Sequence, residues 1–559
     1  MRPPALCLLL PLMAFCWAAG CRSLGTGPHS GWLTPRDEAD RLCQEAAALE
    51  KAGSDRCVDW YFAATRLRWQ SLAALPPGLC DGGDWRAYNT ALADLLQSAW
   101  RCRRLDATRG LLIRDGPRQA TIPVVQHGFP WNNCDFQRLL PPPRGHNSLL
   151  RRYYDCPGAG LPFVVLRARD PHSPAEVRFL PEQSSFAATA LLRFDDHLAT
   201  DEGAGAVLEF YNPLTVRKLR LDCGETPLAA DLTAPLAEAL ADNPRTYFAG
   251  FLQPGGGRDA PRLQFLEPYQ PGKIPVVLVH GLFSDPQAWA DMTNDLRADP
   301  AFADRFQIWM FRYPTGQGFL QSAARLREEL AAASELLDPA AADPALRQMV
   351  LIGHSMGGLI AKLQITHSEE RIWSQVANRP LEAIVTTEQT RLFLAKTAYF
   401  DPAPQVRRVI FIATPHAGSL PSSAVFGEGV SHLVKPSPEQ AAMHRQLIDD
   451  NPGVFNPLIE RRFPTSIDLL TPGSPLLEVM RQLRINPCVQ LHNIVGVVRP
   501  LSLDGPSDGV VSAASAEHPG CQSALAIGAK HAEVHRAPQA SVEVLRILNE
   551  HWQVAGCGG

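Results

Sequence analysis

The sequence predicts an α/β fold: a mostly parallel sheet with helices on both faces and a cap, preceded by a helical and a β-rich N-terminal region. Three observations carry that reading. Residues 273–283 hold an unbroken apolar run that ends in His280-Gly281, as strands buried on both faces of a parallel sheet do. Residues 348–360 run from a second apolar strand through Gly353-His354-Ser355-Met356-Gly357 into an apolar, helix-compatible segment, the layout of a nucleophile elbow. Residues 489–498 and 523–530 read as late strands, and 538–548 then places Val542, Val544, Leu545 and Leu548 at near-helical spacing.

The elements follow in chain order. Residues 1–20 have a short basic start at Arg2 and an apolar stretch too short to span a bilayer comfortably. They end in Ala18-Ala19-Gly20 before Cys21. Residues 21–35, rich in Gly, Ser and Pro, read as a tether. Residues 36–118 form a helical region, with Ala, Leu and aromatics at helical spacing in 37–51, 54–75 and 84–104. Residues 119–268 change to short β-rich runs broken by Pro and Gly, an accessory domain with strands expected at 122–125, 163–167, 188–194 and 206–211. Residues 270–559 carry the sheet described above. Within them 417–487, rich in Pro, Ser and Gly, reads as a cap over Ser355.

Composition narrows the function classes. A chain of 559 residues exceeds one ordinary domain. With 45% hydrophobic and 20% charged residues it is globular rather than disordered. A net charge of −4 gives no reason to expect nucleic acid as a partner. No His-Glu-x-x-His and no paired Cys-x-x-Cys occurs, so neither a metal nor another cofactor is expected. Setting aside Cys7 and Cys16 in the leader and Cys21 just after it leaves an even ten of the thirteen cysteines, which in an exported chain fits disulfides. Cys488 and Cys521, flanking the turn at Asp508, are the expected pair; Cys134–Cys156 and Cys80–Cys102 are further candidates.

The chemistry centres on Ser355. An elbow holds its hydroxyl out at a helix N-terminus, where backbone N–H groups stabilise an oxyanion. Met356 N–H is the first expected donor and Leu282 N–H, in the loop after 274–279, the second. His280, Gly281 and His354 are expected to shape that loop and the elbow rather than carry protons. An acid just past the late strand sits where open α/β sheets bind ligands; Asp504 and Asp508 both qualify. His531, at the end of the following strand, is favoured over His535, which lies nearer the last helix.

Together the Val279-His280-Gly281-Leu282 loop, Gly353-His354-Ser355-Met356-Gly357-Gly358, the Asp508-Gly509-Val510-Val511 turn and His531 resemble the α/β-hydrolase superfamily, in its lipase-like branch. Residues 409–419, with Thr414-Pro415-His416-Ala417-Gly418, and the segment 464–475 look like parts of its triacylglycerol-lipase and inositol-deacylase-like members. The resemblance covers roughly 270–550 and implies an α/β-hydrolase fold. It selects Asp508 over Asp504 and places His416 in the pocket wall. It implies a Ser355–His531–Asp508 triad that cleaves carboxylic esters through an acyl-enzyme. An acyltransferase using the same triad, or a non-catalytic envelope scaffold, are the alternatives. Small residues before Cys21 resemble a bacterial lipoprotein cleavage site, which implies an exported protein anchored in the cell envelope by a lipid on Cys21 and acting on an ester or lipid substrate.

Overall fold

The computed structural model describes residues 34–556 except 77–81, 116–117, 132–134, 141–149, 196–204, 222–223, 242–260, 317, 420–437, 462–464 and 499–504. The leader, the tether up to residue 33 with Cys21, and Asp504 therefore lie outside the described residues.

Three helices open the chain: α1 (Pro35–Lys51), α2 (Cys57–Ala73) and α3 (Gly82–Arg101). Thr34 and Asp37 form a capping box that fixes the start of α1. A five-stranded sheet follows, made of β1 (Val124–His127), β2 (Phe136–Leu140), β3 (Leu161–Ala168), β4 (Gln183–Phe194) and β5 (Ala206–Tyr211), in the order β1-β5-β4-β3-β2. The run expected at 122–125 is divided between two sheets: Arg118–Ile122 ends in one and β1 starts in another, with Pro123 between them. Proline donates no ladder bond, so it suits the break. Helices and sheet share one core, in which Tyr61, Leu92, Phe186 and Phe210 are buried. Polar ties join them as well. Trp69 Nε1 donates to Phe194 O at 3.1 Å, and Tyr88 Oη donates to Leu192 O at 2.6 Å.

The second half is a seven-stranded sheet. Its strands are β6 (Arg262–Phe265), β7 (Ile274–Val279), β8 (Phe306–Arg312), β9 (Met349–His354), β10 (Val406–Ile412), β11 (Gln490–Gly496) and β12 (Ser523–Ile527), in the order β6-β8-β7-β9-β10-β11-β12. Every pairing is parallel except β6 with β8. In β7 the pleat sends Val277 and Val279 to one core and Val276 and Leu278 to the other. Both faces are covered, so alternation with polar residues is impossible and the run is apolar throughout. Around the sheet pack α4 (Ala290–Ala298), α5 (Phe319–Leu337), α6 (Met356–Lys362) and α11 (Pro538–Ala555). Between β9 and β10 lies α7 (Glu388–Ala398), and the segment 417–487 holds α8 (Pro438–Asp449), the short α9 (Ser466–Leu469) and α10 (Pro475–Gln482). Among the described residues no helix is long and apolar enough to cross a membrane.

The halves are joined by a polar bracket on α4. Asp291, Asn294 and Asp295 recur at helical spacing on one buried stripe. Asp291 Oδ1 accepts from the Arg151 backbone N–H at 2.8 Å. Asn294 Nδ2 donates to Arg152 O at 2.8 Å. Asp295 takes Arg152 Nε at 2.6 Å and Tyr154 Oη at 2.8 Å, and also accepts from Ser541 of α11.

One expectation is corrected. Cys488 and Cys521 are both free thiols, as are Cys43, Cys57, Cys102 and Cys156. Cys488 is exposed, whereas Cys521 is buried enough that its thiol is pushed up to about 12. The acid turn is braced by its own backbone and not by a sulfur bridge. The partners expected for Cys102 and Cys156, namely Cys80 and Cys134, lie outside the described residues.

Candidate active site

Ser355 sits between β9 and α6 with φ 55° and ψ −126°, a conformation that L residues rarely adopt and that stores about 1–3 kcal/mol. The flanking glycines make this crossing possible. A Cβ on Gly353 would lie 2.5 Å from Gly357 O, and one on Gly357 would lie 2.2 Å from Val279 O. No side chain fits between the elbow and β7, so Ser355 is held at the C-terminal edge of the sheet, where Ser355 N–H donates to Ile412 O at 2.9 Å.

The residues expected to act together meet there. His531 Nε2 lies 2.9 Å from Ser355 Oγ, and His531 Nδ1 lies 2.7 Å from Asp508 Oδ2. Asp508 is buried, and its other oxygen accepts the N–H groups of Val510 at 2.9 Å and Val511 at 2.7 Å. That turn is the physical content of Asp508-Gly509-Val510-Val511: the carboxylate folds back on the two following amides, which leaves one oxygen for the histidine. Asp508 O also accepts His531 N–H at 3.0 Å, so acid and histidine are fixed through backbone as well as side chain.

The loop after β7 runs alongside the nucleophile. A Cβ on Gly281 would come 3.0 Å from Ser355 Cβ, so glycine lets the backbone bring Leu282 to the site. Met356 is the first residue of α6, where helical N–H groups have no intrahelical acceptor. His280 is buried and stacks on Tyr313 with centroids 4.3 Å apart. Tyr313 N–H donates to His280 Nε2 at 3.4 Å, and Tyr313 Oη donates to His280 O. Burial pushes His280 down to about 4.

His535 is not within reach of Ser355. Its Nε2 donates to Ala288 O at 3.1 Å, its ring lies 4.1 Å from that of His354 and 5.2 Å from that of Trp289, and burial pushes it down to about 3. His354 Nε2 donates to His531 O at 3.0 Å, which ties the elbow to the histidine loop, and burial holds its ring well below the usual histidine range. His416 lies past β10, its ring buried edge-on to Phe411 at 4.7 Å, and its backbone N–H donates to Ser515 O at 2.9 Å.

A model of the alpha/beta hydrolase family matches residues 276–543. This segment is an alpha/beta hydrolase domain. Among curated proteins, none matches the chain. Among solved structures the chain is similar to the mature form of a Bacillus licheniformis lipase, at 16% identity and TM-score 0.31, over 50% of this chain and 94% of that one. A lipase-esterase related protein from Clostridium acetobutylicum gives 13% identity and TM-score 0.27, over 52% and 98% of the two chains. Esterase 2 of Thermogutta terrifontis gives 13% identity and TM-score 0.30, over 54% and 92%. Likenesses this distant carry no chemistry, which must come from the residues themselves.

Several residues around the hydrolase site carry no sequence signal. Ser515 donates to Gly418 O at 2.6 Å and accepts from Ala417 N–H at 3.1 Å, so it clasps the loop after β10. Arg536 Nε donates to Asp291 Oδ2 at 2.8 Å, and Glu533 pairs with Arg151. The loop that carries His531 is thus tied to the first half of the chain. Isolated serines and arginines look alike in sequence whether they do this or face water.

Proposed function

We propose that the protein is a serine carboxylic-ester hydrolase. The observation that carries this is the continuous hydrogen-bonded line Ser355 Oγ, His531 imidazole, Asp508 carboxylate, at 2.9 and 2.7 Å, on a strained elbow. Ser355 Oγ attacks the ester carbonyl carbon while His531 Nε2 takes its proton. Asp508 holds Nδ1–H, fixing the tautomer and stabilising the imidazolium. The carbonyl oxygen becomes an oxyanion beside Met356 N–H and Leu282 N–H, each donor of this kind contributing about 3–4 kcal/mol. The tetrahedral adduct collapses, His531 returns the proton to the leaving alcohol, and an acyl-Ser355 ester remains. Water, deprotonated by His531, repeats the sequence and releases the acid. The chain's own groups supply every proton transfer.

The leader supports export, and Ala18-Ala19-Gly20-Cys21 supports a lipid anchor in the cell envelope. In that setting Cys21→Ser moves the protein from the membrane fraction to the soluble fraction.

The test of the chemistry is a p-nitrophenyl ester assay on wild type and Ser355→Ala, alongside labelling by a fluorophosphonate. Hydrolysis and labelling that both vanish in the variant are the expected result. Activity that survives Ser355→Ala sinks the triad reading.

A further inference from the structure

The hydrolase domain has a second feature beyond the triad. A cavity of about 470 Å³ opens between the start of α5, helices α7 and α8, and the segments 455–459 and 469–476. Leu320, Phe393, Leu394, Met443, Leu458 and Ile459 line it. Building on the ester-hydrolase reading, we infer that this cavity holds the acyl chain of a medium- or long-chain ester whose carbonyl sits at Ser355.

Position is the first argument. The short helix α9 belongs to both places: Leu469 lines the cavity, while Ile467 packs on Leu282 and Phe283 of the loop beside Ser355. On the other side, Ser419 N–H donates to Leu470 O at 3.1 Å, and Gly418 approaches Pro472 so closely that a Cβ would lie 2.7 Å from its Cα. Gly418 belongs to the loop after β10, whose Thr414 packs on Gly358 of α6. The wall 466–476 therefore joins the cavity to both loops that flank the nucleophile.

Lining chemistry is the second. Among the described residues no Asp, Glu, Lys or Arg lines the cavity. Several polar side chains that do line it are spent on nearby backbone. Ser374 Oγ donates to Arg371 O at 3.0 Å, Thr397 Oγ1 donates to Phe393 O at 2.8 Å, and Asn456 Nδ2 donates to Gln375 O at 2.6 Å. Asn456 Oδ1 accepts from Leu458 N–H and Ile459 N–H, and His444 Nε2 lies 2.6 Å from Ile459 O. A sugar or a peptide would leave its own hydroxyls or amides unpaired against such a wall. A polymethylene chain loses nothing there and gains about fourfold in binding per buried methylene. At roughly 30 Å³ for a water-sized group, the space takes on the order of a dozen methylenes.

The experiment compares kcat/KM for p-nitrophenyl acetate, butyrate, octanoate and decanoate, each below its aggregation concentration, on the full chain. Wild type should prefer decanoate to acetate by at least tenfold. Leu394→Trp, which fills the cavity, should cut the decanoate-to-acetate ratio at least tenfold, and Leu394→Ala should keep or raise it. A wild-type optimum at acetate overturns the assignment without any variant. So does an unchanged ratio in a folded Leu394→Trp protein. Loss of all Ser355-dependent esterase activity is a different result: it overturns the hydrolase reading itself, and the acyl assignment with it.

Discussion

The two sides of Ser355 are built from opposite materials. On the His531 side the chain is pinned by charge: Asp291 and Asp295 of α4 receive Arg151, Arg152 and Tyr154 from the first half and Arg536 and Ser541 from the last elements. On the cap side no Asp, Glu, Lys or Arg lines the wall among the described residues, several of its polar groups are bonded to nearby backbone, and a cavity of about 470 Å³ is left between helices. Directional hydrogen bonds hold a geometry within fractions of an ångström, which the side that orients a proton-transferring imidazole needs. Apolar contact is non-directional, and it suits the side that meets hydrocarbon.

That contrast can be broken in stages. The largest effect belongs to Ser355→Ala, which should lower kcat by about 10⁶-fold, measured with any accepted ester. Asp508→Asn should lower kcat by about 10⁴-fold, and by the same factor for acetate and decanoate, because the pinned side acts on the proton and not on the chain. A chain-length-dependent loss in Asp508→Asn would erase the distinction between the two sides.

Arg152→Ala tests the bracket. The arginine side chain is 23% exposed and that of its partner Asp295 only 6%. Breaking such a pair leaves Asp295 buried with hydroxyl partners alone and should cost about 3 kcal/mol, read by urea unfolding. The expected kinetic signature is a fall in kcat that is uniform across ester lengths. Full stability in this variant would show the first half to be a passenger on the hydrolase domain.

Acid should weaken the fold around the site too. His280 is pushed down to about 4 and His535 to about 3, both by burial. Their unfolded forms titrate near the ordinary 6.5, so between 6.5 and those lower values the unfolded chain binds more protons. Stability is then complete above about pH 6.5 and declines as pH falls, by up to about 1.4 kcal/mol per pH unit for each ring. Thermal unfolding from pH 7.5 to 4.5 should show a falling Tm. The smallest effect is expected on the surface at and before α7, where Val385 and Leu392 are 61% and 52% exposed. Val385→Ser and Leu392→Ser should each change stability by less than about 0.5 kcal/mol.

Much of the site was legible because its signals are local. Gly353 and Gly357 flank Ser355 within five residues, and Asp508 bonds the amides of Val510 and Val511 beside it. Unbroken apolar runs announced β7 and β9 because a two-faced sheet permits nothing else. The first half was legible only as segments: helical and β-rich runs were visible, but not that Tyr88 and Trp69 would join them across one core. The Cys488–Cys521 expectation failed because even counts and spacing say nothing of distance or exposure.

By itself, then, the sequence determined the elbow, the strand that feeds it, the acid turn and the histidine that follows, since steric and hydrogen-bond demands among near neighbours leave few alternatives. Only the tertiary structure decided that His535 faces Ala288 and Trp289 rather than Ser355, that Arg152 of the first half secures the helix beside the His531 loop, and that α7, α8 and segment 466–476 enclose a neutral cavity. Those outcomes depend on contacts between residues up to hundreds of positions apart, which the packing of the whole chain selects and no local pattern encodes.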